Sequence, residues 1–317
     1  MRILIDSTFT DDQVESLRTL ATAQGGHEVC RAADEKEAIA AAPEAEVLIG
    51  AIRPTVFAAA SKLRWAQSQS AGMNNILFPQ LIESEVAVSN AAGLYAPQGG
   101  EHAWSLLLAL ARGLHRSMRR QNSHEWKADP VMVMTGGTLG IIALGGFGQE
   151  MAKRARGYDM TILAIDPVRT NKPDGVAELQ PFSTENLHSL LQRSDAVMVA
   201  CPLTEETRHM IGGPELAIMK NTAYLVNVSR GGIIDETALF EALKNGQIAG
   251  AGLDVCEVEP LPADSLLWDA PNLIITPHRA GFSQFRPRDW FELARSNLER
   301  YLKGEQVLNV VDKRRGY

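Results

Sequence analysis

Cysteine is scarce: Cys30, Cys201 and Cys256 are the only three in 317 residues. They lie far apart, each inside an apolar stretch, which excludes a disulfide frame and points to reduced thiols in a cytoplasmic protein. Long hydrophobic runs are missing too. The longest, Leu106 to Ala111 with its neighbours, falls well short of the roughly twenty apolar residues that a spanning helix needs, so no membrane partner is expected. The start, MRILID, puts an acid at Asp6 and lacks the apolar core of a signal peptide. Positive charge is in deficit, with 31 Lys and Arg against 38 Asp and Glu, a balance of -7, which argues against a nucleic acid or an anionic membrane as main partner. A local basic pocket for a small anion stays open. The seven histidines show neither HExxH nor paired ligand spacing, so no metal is expected. No GxSxG elbow, fixed-period repeat or low-complexity tract is present.

What is there describes a folded chain of about two domains, 45% hydrophobic and 22% charged. Short β-branched runs alternate with amphipathic stretches: Ile3 to Ile5, then Val14, Leu17 and Leu20 at helical spacing, then Glu28 to Cys30. This is βαβ grammar. Val47 to Ala51, Leu63 to Gln67 and Val86 to Ser89 extend it, with Glu37 to Ala42 and Val56 to Ala60 between them, so a first parallel sheet of five strands is expected. After a loop around Pro97, Gly99 and Gly100, one long helix is expected from Glu101 to about Arg119, apolar early and basic late. A second series follows: Leu139 to Leu144, Thr161 to Ile165, Ala196 to Ala200, Ala223 to Val228, Ala249 to Val255 and Leu273 to Thr276, read as a second doubly wound sheet of six strands. Phe291 to Leu302 reads as a last helix stopping at Lys303 and Gly304. The tail Val307 to Val311 is expected to return to the first sheet. The fold class is therefore α/β with two doubly wound parallel-sheet domains.

After Leu139 to Leu144 come Gly145, Gly146, Phe147 and Gly148, and then helix formers from Gln149. Glycines let backbone approach a pyrophosphate, and the free amides and dipole of a helix start stabilise its charge. Asp166 closes the next strand near the spacing expected of an acid that holds a ribose 2′-hydroxyl. A carboxylate there repels a 2′-phosphate, which favours NAD. Arg169 and Lys172 just beyond it leave NADP open. Ala143 replaces the first glycine of GxGxxG, and the pattern alone fits a packing turn equally well.

Three later strand ends carry Ser229 and Arg230 in NVSRGG, Glu259 in DVCEVEP, and His278 in TPHRAG. Each alone has a bland explanation: a surface ion pair, a turn residue before Pro260, a satisfied histidine after Pro277. Together they offer complementary chemistry. A guanidinium grips a carboxylate in two parallel bonds, a histidine moves a proton near neutral pH, and a glutamate on the imidazole orients it. Joined to a nicotinamide, they make a constellation for hydroxy acid oxidation or keto acid reduction. The pair Glu101 and His102 diverges on a helix, so a structural role is expected there.

The stretches SAGMNNI near residue 70, GEHAWSLLLALAR from Gly100, LGIIALGGFGQ, CPLTEETRHMI, NVSRGGIIDETAL, AGLDVCEVEPLP and NLIITPH, in this order, give the chain its likeness. It resembles the D-isomer-specific 2-hydroxyacid dehydrogenase family over nearly its whole length. The resemblance implies a flavodoxin-like substrate domain, residues 1–98 plus 281–317, with an inserted Rossmann NAD-binding domain, residues 99–280, and the substrate between them. It makes His278 the acid/base, Glu259 its partner and Arg230 the residue that binds the substrate carboxylate and carbonyl. Asp254 meets the nicotinamide carboxamide, Gly146 and Phe147 the pyrophosphate, and Asp166 the adenosine ribose. Pro202 and Thr207 line the cofactor cleft, and the implied cofactor set also takes in Gly145, Gly148, Val228, Ser229 and Gly281.

The loop Ser70, Ala71 and Gly72 resembles the segment whose amides receive the substrate carboxylate, although a plain strand-to-loop turn also accounts for it. Asn74 stands where the family often has aspartate. Arg53 is either a second positive charge at the cleft or an ordinary surface arginine. The implied reaction is hydride transfer between NAD(H), or NADP(H), and a D-2-hydroxy acid and 2-keto acid pair. Glyoxylate or hydroxypyruvate is the first expectation, and a larger keto acid stays open because the pocket candidates Met73, Leu94, Tyr95, Phe282, Phe285, Arg286 and Trp290 also fit core packing. A homodimer is implied, with the helix near Glu101 at its interface and Trp104, Leu106, Leu107 and Leu108 explained by it. Two rivals remain: an NAD(H)-sensing regulatory binding protein with this fold, and a hydrolase using Cys201 or Ser229.

Overall fold

Strands that are apolar on both faces must be covered on both, and helices in parallel crossovers do this. The computed structural model describes residues 1–316 and divides into two units, Met1–Tyr95 together with the chain from Ser283 onward, and Ala96–Phe282.

In the first unit, β1 (Arg2–Asp6), β2 (Glu28–Arg31), β3 (Val47–Gly50), β4 (Trp65–Ser68) and β5 (Ala87–Ser89) form one parallel sheet in the order β2-β1-β3-β4-β5. Its helices are α1 (Asp11–Ala23), α2 (Glu35–Ala41), α3 (Pro54–Ala59) and α4 (Pro79–Glu83). Local chemistry starts them. Thr10 and Gln13 make a capping box on α1, Asp34 caps α2, and proline opens α3 and α4. The C-terminal helix Arg286–Leu302 belongs to this unit, burying Trp290, Phe291, Ala294 and Leu298 against Ile3, Ile5, Val47 and Trp65. Asn297 is fully buried on that helix, donating to Gln67 Oε1 at 2.6 Å and accepting from Leu308 N–H at 2.7 Å. A buried amide without partners costs about 1–3 kcal/mol, so these groups must come together. The tail closes on β5, where Val311 N–H donates to Val88 O at 2.8 Å.

The second unit opens with α5 (Ala96–Ala111), α6 (Leu114–Asn122) and α7 (Gly146–Ala155). The single long helix expected from Glu101 is thus two. It begins earlier and breaks at Gly113, whose φ of +66° lies in the left-handed region that glycine tolerates. Gly99 and Gly100 mark a close approach rather than a loop. An added Cβ would lie 2.6 Å from the Phe147 ring at Gly99 and 2.7 Å from Glu150 Cβ at Gly100.

The sheet comprises β6 (Thr138–Ile142), β7 (Thr161–Asp166), β8 (Glu178–Pro181), β9 (Ala196–Val199), β10 (Tyr224–Asn227), β11 (Gly250–Leu253) and β12 (Leu273–Ile275), parallel in the order β12-β11-β10-β9-β6-β7-β8. With α8 (Thr184–Arg193), α9 (Gly213–Ile218) and α10 (Glu236–Lys244) it is doubly wound. Seven strands replace the expected six. β8 escaped notice because ELQP has no β-branched residue and carries a proline, which an edge strand tolerates. Trp104, Leu106 and Leu107 are buried in this unit's own core, so that crowded stretch does not need a partner chain to cover it. Among the described residues no helix is long and apolar enough to cross a membrane.

Candidate active site

A parallel sheet delivers every strand's carboxyl end to one edge, and in a doubly wound sheet ligands bind where the winding reverses. In the second unit that reversal lies between β9 and β6. The glycine turn follows β6. Gly145 is the N-cap of α7 with no side chain capping the helix, and an added Cβ there meets nothing within 4 Å. At Gly148 it would lie 2.1 Å from Ala143 O, so only glycine lets helix and strand pack this closely. Ala143 itself sits at φ +76°, at a cost of about 1–2 kcal/mol for a residue with a β-carbon. Open space over uncapped amides at a helix start fits a dinucleotide pyrophosphate. The Phe147 ring is spent on packing beside Gly99.

Asp166 ends β7, and its carboxylate accepts from the amides of Leu144 at 2.8 Å, Val168 at 2.9 Å and Arg169 at 2.7 Å. It therefore ties the glycine turn to β7 and keeps lone pairs for a ribose hydroxyl. After β9, Thr207 Oγ1 donates to Pro202 O at 2.7 Å, fixing that loop. Burial pushes the Cys201 thiol there up to about 12, which removes it as a nucleophile at neutral pH.

The turn after β10 is built by Asn227, which sequence reasoning did not single out. Its Oδ1 accepts from Ser229 N at 3.0 Å and Ser229 Oγ at 2.8 Å, and its Nδ2 donates to Arg230 O at 2.8 Å. Val228 and Ser229 are buried by this turn. Arg230 Nη1 donates to Ser229 O at 2.5 Å, and burial lowers the guanidinium's pKa against the pull of Glu259. Gly231 is what lets this turn touch the next, since an added Cβ would lie 1.9 Å from Cys256 O.

Glu259 Oε1 accepts from Cys256 N–H at 3.0 Å, and its Oε2 lies 2.6 Å from His278 Nδ1. A carboxylate can only accept, so Nδ1 carries the proton and Nε2 is left for chemistry. The two side chains are 48% and 36% exposed, and a pair so exposed adds only about 0–1 kcal/mol to folding. His278 occupies φ +52°, a strained backbone of the kind that clusters at functional sites. Asp254, which the family resemblance places at the nicotinamide carboxamide, turns its carboxylate into this same loop, accepting from Thr276 Oγ1 at 2.6 Å, Arg279 N at 2.8 Å and Ala280 N at 2.7 Å. Gly281 follows directly. Among the described residues no three His, Cys, Asp or Glu side chains gather as a metal site.

At the first unit's carboxyl edge the loop after β4 is held by neutral donors to its backbone. Tyr95 Oη donates to Gln69 O at 2.8 Å, Ala91 N to Ser70 O at 3.0 Å, and Asn90 Nδ2 to Ala71 O at 2.8 Å. Asn90 was missed, its only signal being an amide at a strand's end. Arg53 pairs with Asp6 and lies 3.9 Å from Glu35, so acids of its own unit balance its charge. Of the pocket candidates, Met73 and Trp290 are core residues at 1% and 5% exposure, whereas Phe282 and Phe285 are exposed.

An uncapped glycine turn at the reversal of a doubly wound sheet, with a histidine–glutamate pair and an arginine on the same edge, fits a dinucleotide-dependent oxidoreductase of the α/β class. Residues 104–280 match the family model described as the D-isomer specific 2-hydroxyacid dehydrogenase NAD binding domain. The chain belongs to that family and is an NAD(P)-dependent oxidoreductase acting on the CH-OH group of 2-hydroxy acids.

A glyoxylate reductase of Korarchaeum cryptofilum is 39% identical over 84% of this chain and 81% of its own length. One from Thermococcus gammatolerans is 40% identical over 81% and 79%. A crystal structure of a D-isomer specific 2-hydroxyacid dehydrogenase from Xanthobacter autotrophicus in complex with NADPH and MES is 29% identical, covers 99% of both chains and has a TM-score of 0.83. An NADPH-dependent glyoxylate/hydroxypyruvate reductase from Sinorhizobium meliloti, in complex with NADP and sulfate, is 25% identical, covers 100% of this chain and 99% of its own, and has a TM-score of 0.81. These likenesses do not favour the reading as a dinucleotide sensor.

Proposed function

We propose that this chain reduces glyoxylate or hydroxypyruvate to the corresponding 2-hydroxy acid, with NADH preferred, as a cytoplasmic homodimer. The observation that carries the chemistry is the 2.6 Å contact of His278 Nδ1 with Glu259 Oε2. With Nδ1–H committed to Glu259, the other ring nitrogen gives its proton to the substrate oxygen and recovers it in the oxidative direction. Arg230 grips the carboxylate and stabilises charge developing on the carbonyl oxygen. Ala71 and Gly72 donate their amides to the carboxylate. The glycine turn would hold the pyrophosphate of a dinucleotide whose nicotinamide would supply the hydride.

Support for a small substrate comes from the relatives named glyoxylate reductase. The NADH preference rests on Asp166, whose carboxylate repels a 2′-phosphate. Arg169 and Lys172 beyond it, the latter donating to Ala177 O at 3.1 Å, are the cations through which NADPH is tolerated. Cytoplasmic residence suits three free thiols, two of them buried. The dimer reading rests on exposed Leu114, Met118, Trp126, Val131 and Val133, gathered within one short stretch of chain, apolar surface of the kind a second copy covers.

Initial rates with glyoxylate, hydroxypyruvate, pyruvate and longer 2-keto acids, each with NADH and NADPH, test the reading. The expected result is the highest kcat/KM on glyoxylate or hydroxypyruvate, and at least about tenfold in favour of NADH. A maximum on a longer keto acid overturns the substrate, and an NADPH preference overturns the role of Asp166.

A further inference from the structure

One titratable side chain close to the His278 loop has no part in the chemistry above. His102, on α5, places Nε2 2.8 Å from Thr276 Oγ1 and 3.2 Å from Asp254 Oδ1. Thr276 has one hydroxyl proton and gives it to Asp254 at 2.6 Å. Its oxygen therefore offers only lone pairs to His102, as does the carboxylate. Both contacts require the proton on Nε2, and His102 is a donor to the pair.

The pair holds a short segment in an unusual shape. The backbone from Thr276 to Ala280 wraps the Asp254 side chain, which accepts from the amides of Arg279 and Ala280. Asp254 O accepts from the amide of His278 at 2.8 Å. His278, in the middle, takes its left-handed conformation inside this wrap. Asp254 is 1% exposed, so water cannot replace a lost donor easily. Burial pushes its carboxyl pKa up, but His102, Thr276 and the two amides outweigh burial and hold it below the ordinary value. The carboxylate is therefore charged at neutral pH, as such a clamp requires.

We propose that His102 is a positioning residue for the reaction, donating to Thr276 and Asp254 and thereby holding the turn that presents His278. The proposal rests on the reading of His278 as the acid/base. It predicts that His102 affects turnover more than cofactor binding, because what it holds is the angle of an imidazole, and small misplacements of a reacting group cost rate steeply.

The test compares His102→Ala and His102→Gln, each in the native and the His278→Ala background. His102→Ala is expected to lower kcat about tenfold, to leave the Kd for NADH within about threefold, and to speed hydrogen exchange at the amides of Arg279 and Ala280. Glutamine carries an N–H donor at a similar reach and is expected to restore both turnover and protection. In the His278→Ala background His102→Ala is expected to cost nothing further.

Unchanged kcat and exchange in His102→Ala overturn the proposal, as does an equal loss in both backgrounds or a failure of glutamine to rescue. His102→Leu against His102→Gln gives the same comparison where alanine does not fold. Near-normal turnover of His278→Ala on its own overturns the acid/base reading instead, and amide exchange still reports whether His102 holds the loop.

Discussion

The two parallel sheets share an architecture, yet their carboxyl edges are built from different chemistry. In the first unit the loop after β4 has its carbonyls taken by Tyr95, Ala91 and Asn90, all neutral donors, and the charges nearby, Arg53 and Asp6, are spent on each other. In the second the edge is a set of ionisable side chains: His278 on Glu259, Asp254 under Thr276, and Arg230 on a turn shaped by Asn227. Backbone amides recognise a carboxylate whatever side chains surround them. A proton transfer needs a particular titratable group, and a forming alkoxide needs a fixed cation. Under the proposed reading the first edge only holds the substrate, whereas the second, through Arg230 and His278, both holds and changes it.

Breaking the second edge should cost most. His278→Ala is expected to lower kcat by roughly two to four orders of magnitude with little change in KM for the keto acid, measured by steady-state NADH oxidation. Near-normal turnover would remove the distinction between the edges. Breaking the first should instead cost affinity. Asn90→Ala removes the donor to Ala71 O and the acceptor for Ala92 N at 3.0 Å, freeing the loop. The expected result is a KM for the keto acid raised about tenfold, equivalent to about 1.4 kcal/mol, with kcat within about threefold. A fall in kcat as large as the rise in KM would show that the first edge also takes part in the chemistry.

The smallest effect on rate is expected away from both edges. Trp126, the most exposed of the apolar side chains, is assigned to contact with a second copy. Trp126→Ser is expected to sediment as a single copy where the native chain sediments as two, with turnover within about twofold. A native chain that already sediments as one copy would refute the dimer, and a large loss of turnover in the variant would show that the edges depend on it.

Much of this was legible in the chain. Leu139 to Leu144 followed by Gly145 and Gly148 announces a strand, a turn and a helix, because apolar runs and glycines act locally. Arg230, Glu259 and His278 stand out by residue type at strand ends. Other features were illegible for stated reasons. β8 is an exposed edge strand with little apolar signal, and Gly99 and Gly100 look like a loop until α7 is seen against them. The charge on Arg53 looks available until Asp6, distant in sequence, is seen beside it. Asn90 and Asn227 act through hydrogen bonds to backbone that leave no periodicity to read.

The amino-acid order by itself therefore determined most of the alternation of strands and helices and the inventory of reactive groups, since these follow from short-range propensity and side-chain chemistry. Only the tertiary structure decided which of those groups meet. Gly231 lets one turn touch the backbone at Cys256, Asp254 draws the His278 loop around itself, and His102 arrives from a helix far away in the chain. Such meetings depend on contacts between segments remote in sequence, and those contacts exist only once the sheet has set its strand order and the helices have packed against it.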